Sequence, residues 1–537
     1  MAKPSEAPQE NGTAAAAAAG EAARVSRRGL LRGAALGGTA LTLSGVPGLS
    51  GAAAAVLRDR PELTSGVQSG DVTAWSGTVW TRADRPSRMV VEVSRRPDFR
   101  NARLVRGPLL TPRSDFTGKT TLPDLPAGTD VFYRTWAEDL DDSGLRSAPA
   151  AGRFRTAART RRDISFLWSG DLGGQGFGIN PDIGGYRIFE AMRRLDPDFY
   201  ICNGDNIYAD DPIPATIAMP DGSTWRNVTT QAKSKVAETL TEYRGNYLYN
   251  LLDDNLRAFY ASVAQIQQWD DHETHNNWYP GEILDDPLYT VKDVDVLARR
   301  ARRAWHEYTP IAKRYDEDNR IYRVLHHGPL LDVFVLDMRW YRDPNSPDKQ
   351  RFNDGGILGY EQAAWLKREL AASRATWKVI CNDMPLCEVV LDGTNYEAVS
   401  QGDPGLPLGR ERQVADVLRH LKRSGVHNTV WLTTDVHYTA AHFFDPDKAA
   451  FQDFEPFWQF TTGPLNAGAF PPDTVDATFG AQQVFVKAPP IANASPATEY
   501  QFFGQVTIDH ETEALTVHLR DNSGAVLWST TQSPHGA

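Results

Sequence analysis

Strand-like runs in this chain are repeatedly followed by a polar cluster, and that recurrence is the strongest constraint on its fold. Short apolar runs such as ISFLWSG (164–170), DFYICNG (198–204), LLDVFVLD (330–337), TWKVICND (376–383) and NTVWLTTD (428–435) have the length and the β-branched, aromatic content of buried strands. Segments with apolar residues at helical spacing separate them: GGYRIFEAMRRL (184–195), GYEQAAWLKREL and RERQVADVLRHLKR. This alternation predicts β-α-β units and a layered α/β domain. Six strand ends carry Asp171, then Asn203 to Tyr208, Trp269 to Glu273, Asp337 to Arg339, Asn382-Asp383 and Asp435 to His437. One Asp after a strand is commonly a cap or turn residue. Six in succession point to a shared site, because open α/β sheets bind ligands beyond the carboxyl ends of their strands.

The flanking chain has a different texture. From Leu63 to about Arg155, strand-length runs such as SGDVTAWSGTVWTRA and TDVFYRTWAED are separated by Gly, Pro and Asp, which predicts about seven strands in a small β-sandwich. Domain bounds of 56–158 and 163–537 follow, the second taking in an antiparallel β tail from Glu499. Residues 209–260 and 284–320 read as longer insertions that carry helices such as VDVLARRARRAWHEY. Residues 1–55 form a leader predicted to be disordered, in which Arg27-Arg28, a short apolar stretch and the alanines at 53–55 have the order of a twin-arginine export signal. This predicts passage through the twin-arginine translocon, removal of the leader, and a secreted or cell-wall-associated protein without a membrane span.

Charge and cysteine content narrow the partners. With 57 Lys and Arg against 68 Asp and Glu, the chain has a net charge of −11, which offers no evident nucleic-acid-binding surface. Its 3 cysteines are too few for a disulfide framework. Cys381 and Cys387 have no second pair or neighbouring His to complete a zinc site, so they read as buried thiols, and Cys202 as core.

Carboxylates converging on one pocket repel each other unless cations lie among them. Oxygen-rich ligands favour hard cations such as Ca²⁺, Mn²⁺ or Fe³⁺, while His437 admits borderline metals such as Zn²⁺. Paired metals suit in-line displacement at phosphorus, since they hold an attacking hydroxide and the phosphoryl oxygens together. No G-x-S-x-G elbow is present, which argues against a serine hydrolase. The Gly173 to Gly178 loop matches no nucleotide-binding fingerprint and reads as a loop hugging the site.

These residues resemble a known family. Gly204-Asp205-Asn206-Ile207-Tyr208 resembles the G-D-x-x-Y motif of purple acid phosphatases, and Trp269-Asp270-Asp271-His272-Glu273 resembles the W-D-D-H-E block of PhoD-like alkaline phosphatases. Leu336-Asp337-Met338-Arg339 with Tyr341-Arg342, and Asp435-Val436-His437, match later blocks of that family. The resemblance implies a calcineurin-like metallophosphoesterase β-sandwich core flanked by helices, preceded by a small all-β domain of the fibronectin III or immunoglobulin kind. It also implies Fe³⁺ and Ca²⁺ as cofactors. Carried over by position, Asp205 bridges metals, Tyr208 binds iron, Asp271 binds the second metal, and Asp435 and His437 form the last ligand block. His272 protonates the leaving oxygen or stabilises phosphoryl charge, and Arg339 clamps phosphate. Asn206 and Asn276 are candidate substrate contacts. Family members with a Ser-Cys-Gln block use that Cys on iron, whereas this chain reads Ser169-Gly170-Asp171, which places Asp171 in its stead.

The activity expected is hydrolysis of phosphate monoesters for phosphate scavenging. The family also implies a phosphodiesterase, including a Ca²⁺-dependent phospholipase D acting on phospholipid head groups. A secreted binding module with structural metals is the reading from another class. Ligands scattered over so long a stretch favour catalysis, since structural Ca²⁺ sites tend to come from one contiguous loop.

Overall fold

A computed structural model describes residues 60–313, 320–351 and 356–535. The leader and its Arg27-Arg28 motif lie outside the described residues. Strands Ile164–Ser169, Phe199–Asn203 and Ala264–Gln268 run parallel at the centre of a nine-stranded sheet. A second, seven-stranded sheet has Leu331–Val335, Trp377–Cys381, Thr429–Thr433 and Phe457–Thr461 parallel at its centre. Antiparallel strands Arg323–His326, Thr439–Phe444 and Ala481–Lys487 complete it.

Successive side chains of a strand point to opposite faces, and these strands are apolar on both. Phe166, Trp168, Phe199, Ile201 and Ile266 pack with Val333, Val335, Val379, Cys381, Val430 and Leu432 in one core between the sheets. The alternate residues Leu167, Tyr200 and Cys202 face outward, under helices Ile188–Arg194, Leu240–Asn250, Asp254–Ser262 and Val294–Tyr308. On the far side Phe334, Ile380 and Trp431 pack under Gly359–Ala372 and Glu411–Arg423. The result is a β-sandwich flanked by helices. Local chemistry fixes the helix starts: Thr239 and Glu242 form a capping box, and the Asp253 and Asp293 side chains accept backbone N–H bonds.

The tail strands Phe502–Ile508, Leu515–Asp521 and Val526–Gln532 extend the nine-stranded sheet beside Ile164–Ser169. At its other side, Leu63–Gly70, Gly77–Ala83 and Thr117–Leu122 join it through a parallel bridge between Gly70 and Gln265. Arg103–Leu110, Ser87–Ser94, Asp130–Glu138 and Ala150–Arg155 make a separate four-stranded sheet. The amino-terminal region therefore has seven strands, and three of them are continuous with the main sheet. Arg323 pins this junction, its buried guanidinium donating to Asp71 and to the carbonyl of Gln267.

Candidate metal centre

The carboxyl ends of the central strands meet at one end of the sandwich. Asp171, Asp205, Asp435 and His437 all take positive φ, at 63°, 48°, 76° and 59°. That conformation costs a side-chain-bearing residue roughly 1–2 kcal/mol and persists only where surroundings hold it. Here the turns hold one another: Leu172 N–H donates to the Asp205 carbonyl at 3.0 Å, and Ala209 N–H to the His272 carbonyl at 2.8 Å. Gly204, at φ 120°, has no alternative, since a Cβ there would lie 2.4 Å from the Asp270 Cβ. Gly174 likewise lies flat on the Tyr208 ring, where a Cβ would come within 2.5 Å. The Gly173 to Gly178 loop hugs the site.

Three overlapping donor sets result. Asp171, Asp205 and His437 form one; Asp205, Asp271 and His272 a second; Asp270, Asp271 and Asp435 a third, with the donor atoms of each within 4.8 Å of one another. Asp205 and Asp271 are each shared by two sets, as residues bridging adjacent cations must be. The Tyr208 hydroxyl stands 2.7 Å from His437 Nε2, and His437 Nδ1 is oriented by the Gly468 carbonyl.

The residues fit metal ions. Asp171 Oδ2 and Asp270 Oδ2 are buried without a hydrogen-bond partner. Burial pushes the Asp171 carboxyl up to about 8. It also drives Asp205 and Asp435 far above the carboxylate range, with neighbouring carboxylates adding to the effect. Such groups share a pocket as anions only when cations neutralise them. Among the donor-set carboxylates Asp271 alone, though buried, is held below the usual range, by Arg339 and His272.

His272 is set up as an acid. Burial works against its charge, yet Asp210 and Asp271 raise it to about 10. Its Nδ1 lies 2.9 Å from both Asp210 carboxylate oxygens, and its ring lies over Tyr208 at 4.2 Å. Asp210 also accepts the Asn276 backbone N–H at 2.7 Å. A mouth cavity of about 410 Å³ is lined by Gln175, Asp210, Asp211, His272, His275, Asn276 and Asp286.

Two expected substrate contacts, Arg339 and Asn206, are held by protein partners. Arg339 is fully buried; its guanidinium pairs with Asp270 and Glu397 and lies 3.6 Å from both Asp271 and Asp435. It offsets ligand charge from below. Asn206 is turned inward, donating both amide hydrogens, to the Gln268 carbonyl and to Glu273. Two of the six strand ends also stop short of the site. Asp337 caps its own turn and accepts the Trp269 indole N–H at 2.9 Å, and Asp383 accepts the Met338 N–H. Asp210 and Glu397 lie outside the sequence motifs; Asp210, two residues after the G-D-x-x-Y block, is the one with a readable signal, while Glu273 belongs to the W-D-D-H-E block without an assigned role.

A double sheet carrying acidic and His ligands at its strand ends is the architecture of a metallophosphoesterase. The sequence model of the PhoD-like phosphatases matches residues 166–519, and that of their N-terminal domain matches 50–158; the chain belongs to the PhoD-like phosphatase family. Alkaline phosphatase D of Bacillus subtilis (strain 168) is 29% identical over 267 residues, which span 47% of this chain and 43% of the relative. Among solved structures, PhoD superposes with a TM-score of 0.66 at 20% identity, covering 88% of this chain and 89% of the other. A purple acid phosphatase from yellow lupin seeds (Lupinus luteus) reaches 0.54 at 12% identity, covering 88% and 74%.

Proposed function

We propose that this chain is an exported phosphoesterase that hydrolyses phosphate monoesters and releases phosphate from organic phosphate outside the membrane. The observation that carries the reading is the row of donor sets joined through Asp205 and Asp271, with His272, held by both Asp210 oxygens, at the mouth. Asp171, Asp205, Tyr208 and His437 would hold Fe³⁺, and Asp205, Asp271 and Asp435 would hold Ca²⁺. Bound there, the cations would supply a nucleophilic water at moderate pH and neutralise phosphoryl charge.

The chain's own residues do the rest. His272 stands charged at the mouth and gives its proton to the departing ester oxygen. Asp210 holds the imidazole in place through both carboxylate oxygens. Asn276 and Gln175 offer neutral polar groups at the rim. Arg339 holds Asp271 as an anion able to ligate, and its charge acts in the same direction on Asp435 against burial.

Asp205→Asn tests the reading. It removes the shared carboxylate while keeping its shape, and a folded protein without turnover is expected. A folded variant with retained turnover would contradict the proposal. No helix among the described residues is long and apolar enough to cross a membrane. Comparison of a monoester with a diester of one chromophore settles substrate class, and a diester preference would move the assignment to a phosphodiesterase or phospholipase D.

A further inference from the structure

A second constellation lies apart from the catalytic centre and shares no residue with it. His442 sits in strand Thr439–Phe444, paired in register with Gln459 of the neighbouring strand. Cys387 and Glu388 follow strand Trp377–Cys381, and Glu388 is fixed by a bridge to Val475. All three side chains are at most 1% exposed. One donor atom from each lies within 4.8 Å of the others. Cys387 Sγ stands 3.1 Å from Glu388 Oε2, and His442 Nδ1 stands 3.4 Å from Glu388 Oε1.

The polar atoms here point inward toward one another. Gln459 Nε2 and the Thr461 hydroxyl each donate to the Glu388 carboxylate at 2.8 Å, which locks its orientation. His442 Nε2 has no partner, and Nδ1 meets only the Glu388 carboxylate, without hydrogen-bond geometry. A buried polar atom left unpaired is destabilising, and native interiors rarely leave an imidazole without a single good hydrogen bond. A bound ion would remove that cost.

We propose that Cys387, Glu388 and His442 bind a divalent transition-metal ion, structural in role and distinct from the catalytic cations. Thiolate and carboxylate together carry two negative charges, so a dication makes the buried site neutral. Ligand distances of about 2.0–2.3 Å place tetrahedral donors roughly 3.3–3.8 Å apart, so donors within 4.8 Å of one another need only a small inward shift to close on an ion. A sulfur and an imidazole donor select Zn²⁺, Fe²⁺ or Co²⁺ over Ca²⁺. Three protein ligands suffice to hold zinc, with a small neutral donor in the fourth position. The ion would tie the loop after Trp377–Cys381 to the far strands of the seven-stranded sheet.

Cobalt reads this site selectively, because no thiol belongs to the catalytic donor sets. The full chain is produced in cobalt-supplemented minimal medium, and its absorption spectrum and metal content are measured. A near-ultraviolet thiolate-to-cobalt charge-transfer band is expected. Cys387→Ser abolishes it and lowers the metal count by one ion per chain, whereas Cys202→Ser leaves both unchanged. A folded, cobalt-bearing wild-type protein without the band overturns the proposal, whether or not any variant folds. So does a Cys387→Ser protein that keeps the band and the full metal count.

Discussion

Asp210→Asn isolates the part of the centre that acts on the leaving group. Asp210 contacts His272 through both carboxylate oxygens, and its negative charge is the first of the influences that hold the ring protonated. The ring is raised from 6.5 to about 10 although burial pushes the other way, a difference of about 5 kcal/mol in favour of imidazolium. Asparagine keeps the size and one acceptor but removes the charge, so burial prevails and the ring becomes neutral in mildly alkaline buffer. General-acid assistance is worth about 10²–10⁴-fold, and it matters only where the departing oxygen needs a proton. With an alkyl phosphate, kcat/KM should therefore fall by about 10²–10⁴-fold. With a nitrophenyl ester, whose leaving group departs as an anion, it should fall far less. Steady-state kinetics on the two esters, with metal content measured on the same preparations, provides the comparison. Equal losses on both esters at unchanged metal content would refute the assignment of His272 as acid, as would undiminished alkyl-ester turnover.

Other consequences are open to direct measurement. Tyr208→Phe should remove the visible phenolate-to-Fe³⁺ band and reduce iron content, as followed by absorption and elemental analysis; colourless, active, iron-free wild-type protein would contradict the iron assignment. Asp171, raised to about 8 by burial in the metal-free state, binds its proton more tightly folded than unfolded. Its contribution to stability is thus full below about pH 4 and lost as pH rises through about 8, so chelated protein should lose melting temperature over that window and regain it on metal addition. His327 is buried against Phe199, their rings 4.2 Å apart, and burial lowers it to about 4. Its contribution is present above about pH 6.5 and lost as pH falls through 4, worth about 3 kcal/mol, and His327→Gln should flatten acid unfolding across that range.

The legible parts of the chain were those where local pattern and tertiary role agree. The run VDVLARRARRAWHEY became helix Val294–Tyr308 because its apolar stripe and the Asp293 cap specify the same element. The largely buried strand Ile164–Ser169 and the fully buried strand Phe199–Asn203 read as apolar runs for the same reason. Strand Ala264–Gln268 shows no such run, since three of its five residues are glutamine. Its position depends on long-range bonds, such as Gln268 Nε2 to the carbonyls of Leu336 and Cys381, that no local pattern encodes. At the site, the positive-φ aspartates were visible as strand-end residues. A second layer looks identical in sequence. Asp337 and Asp383 occupy the same kind of position as Asp435 yet serve as caps, and Arg339 points into the carboxylates from below. Which of several equivalent Asp side chains faces the cleft is decided by packing between the two sheets.

The central claim is that one cation-dependent centre, built on Asp205, cleaves phosphate esters. The most direct test is hydrolysis of a monoester and a diester of the same chromophore by metal-replete protein at alkaline pH, before and after chelation. Monoester turnover that exceeds diester turnover, disappears with chelator and returns with added metal is expected. Turnover of neither ester, or turnover indifferent to chelation, would contradict it.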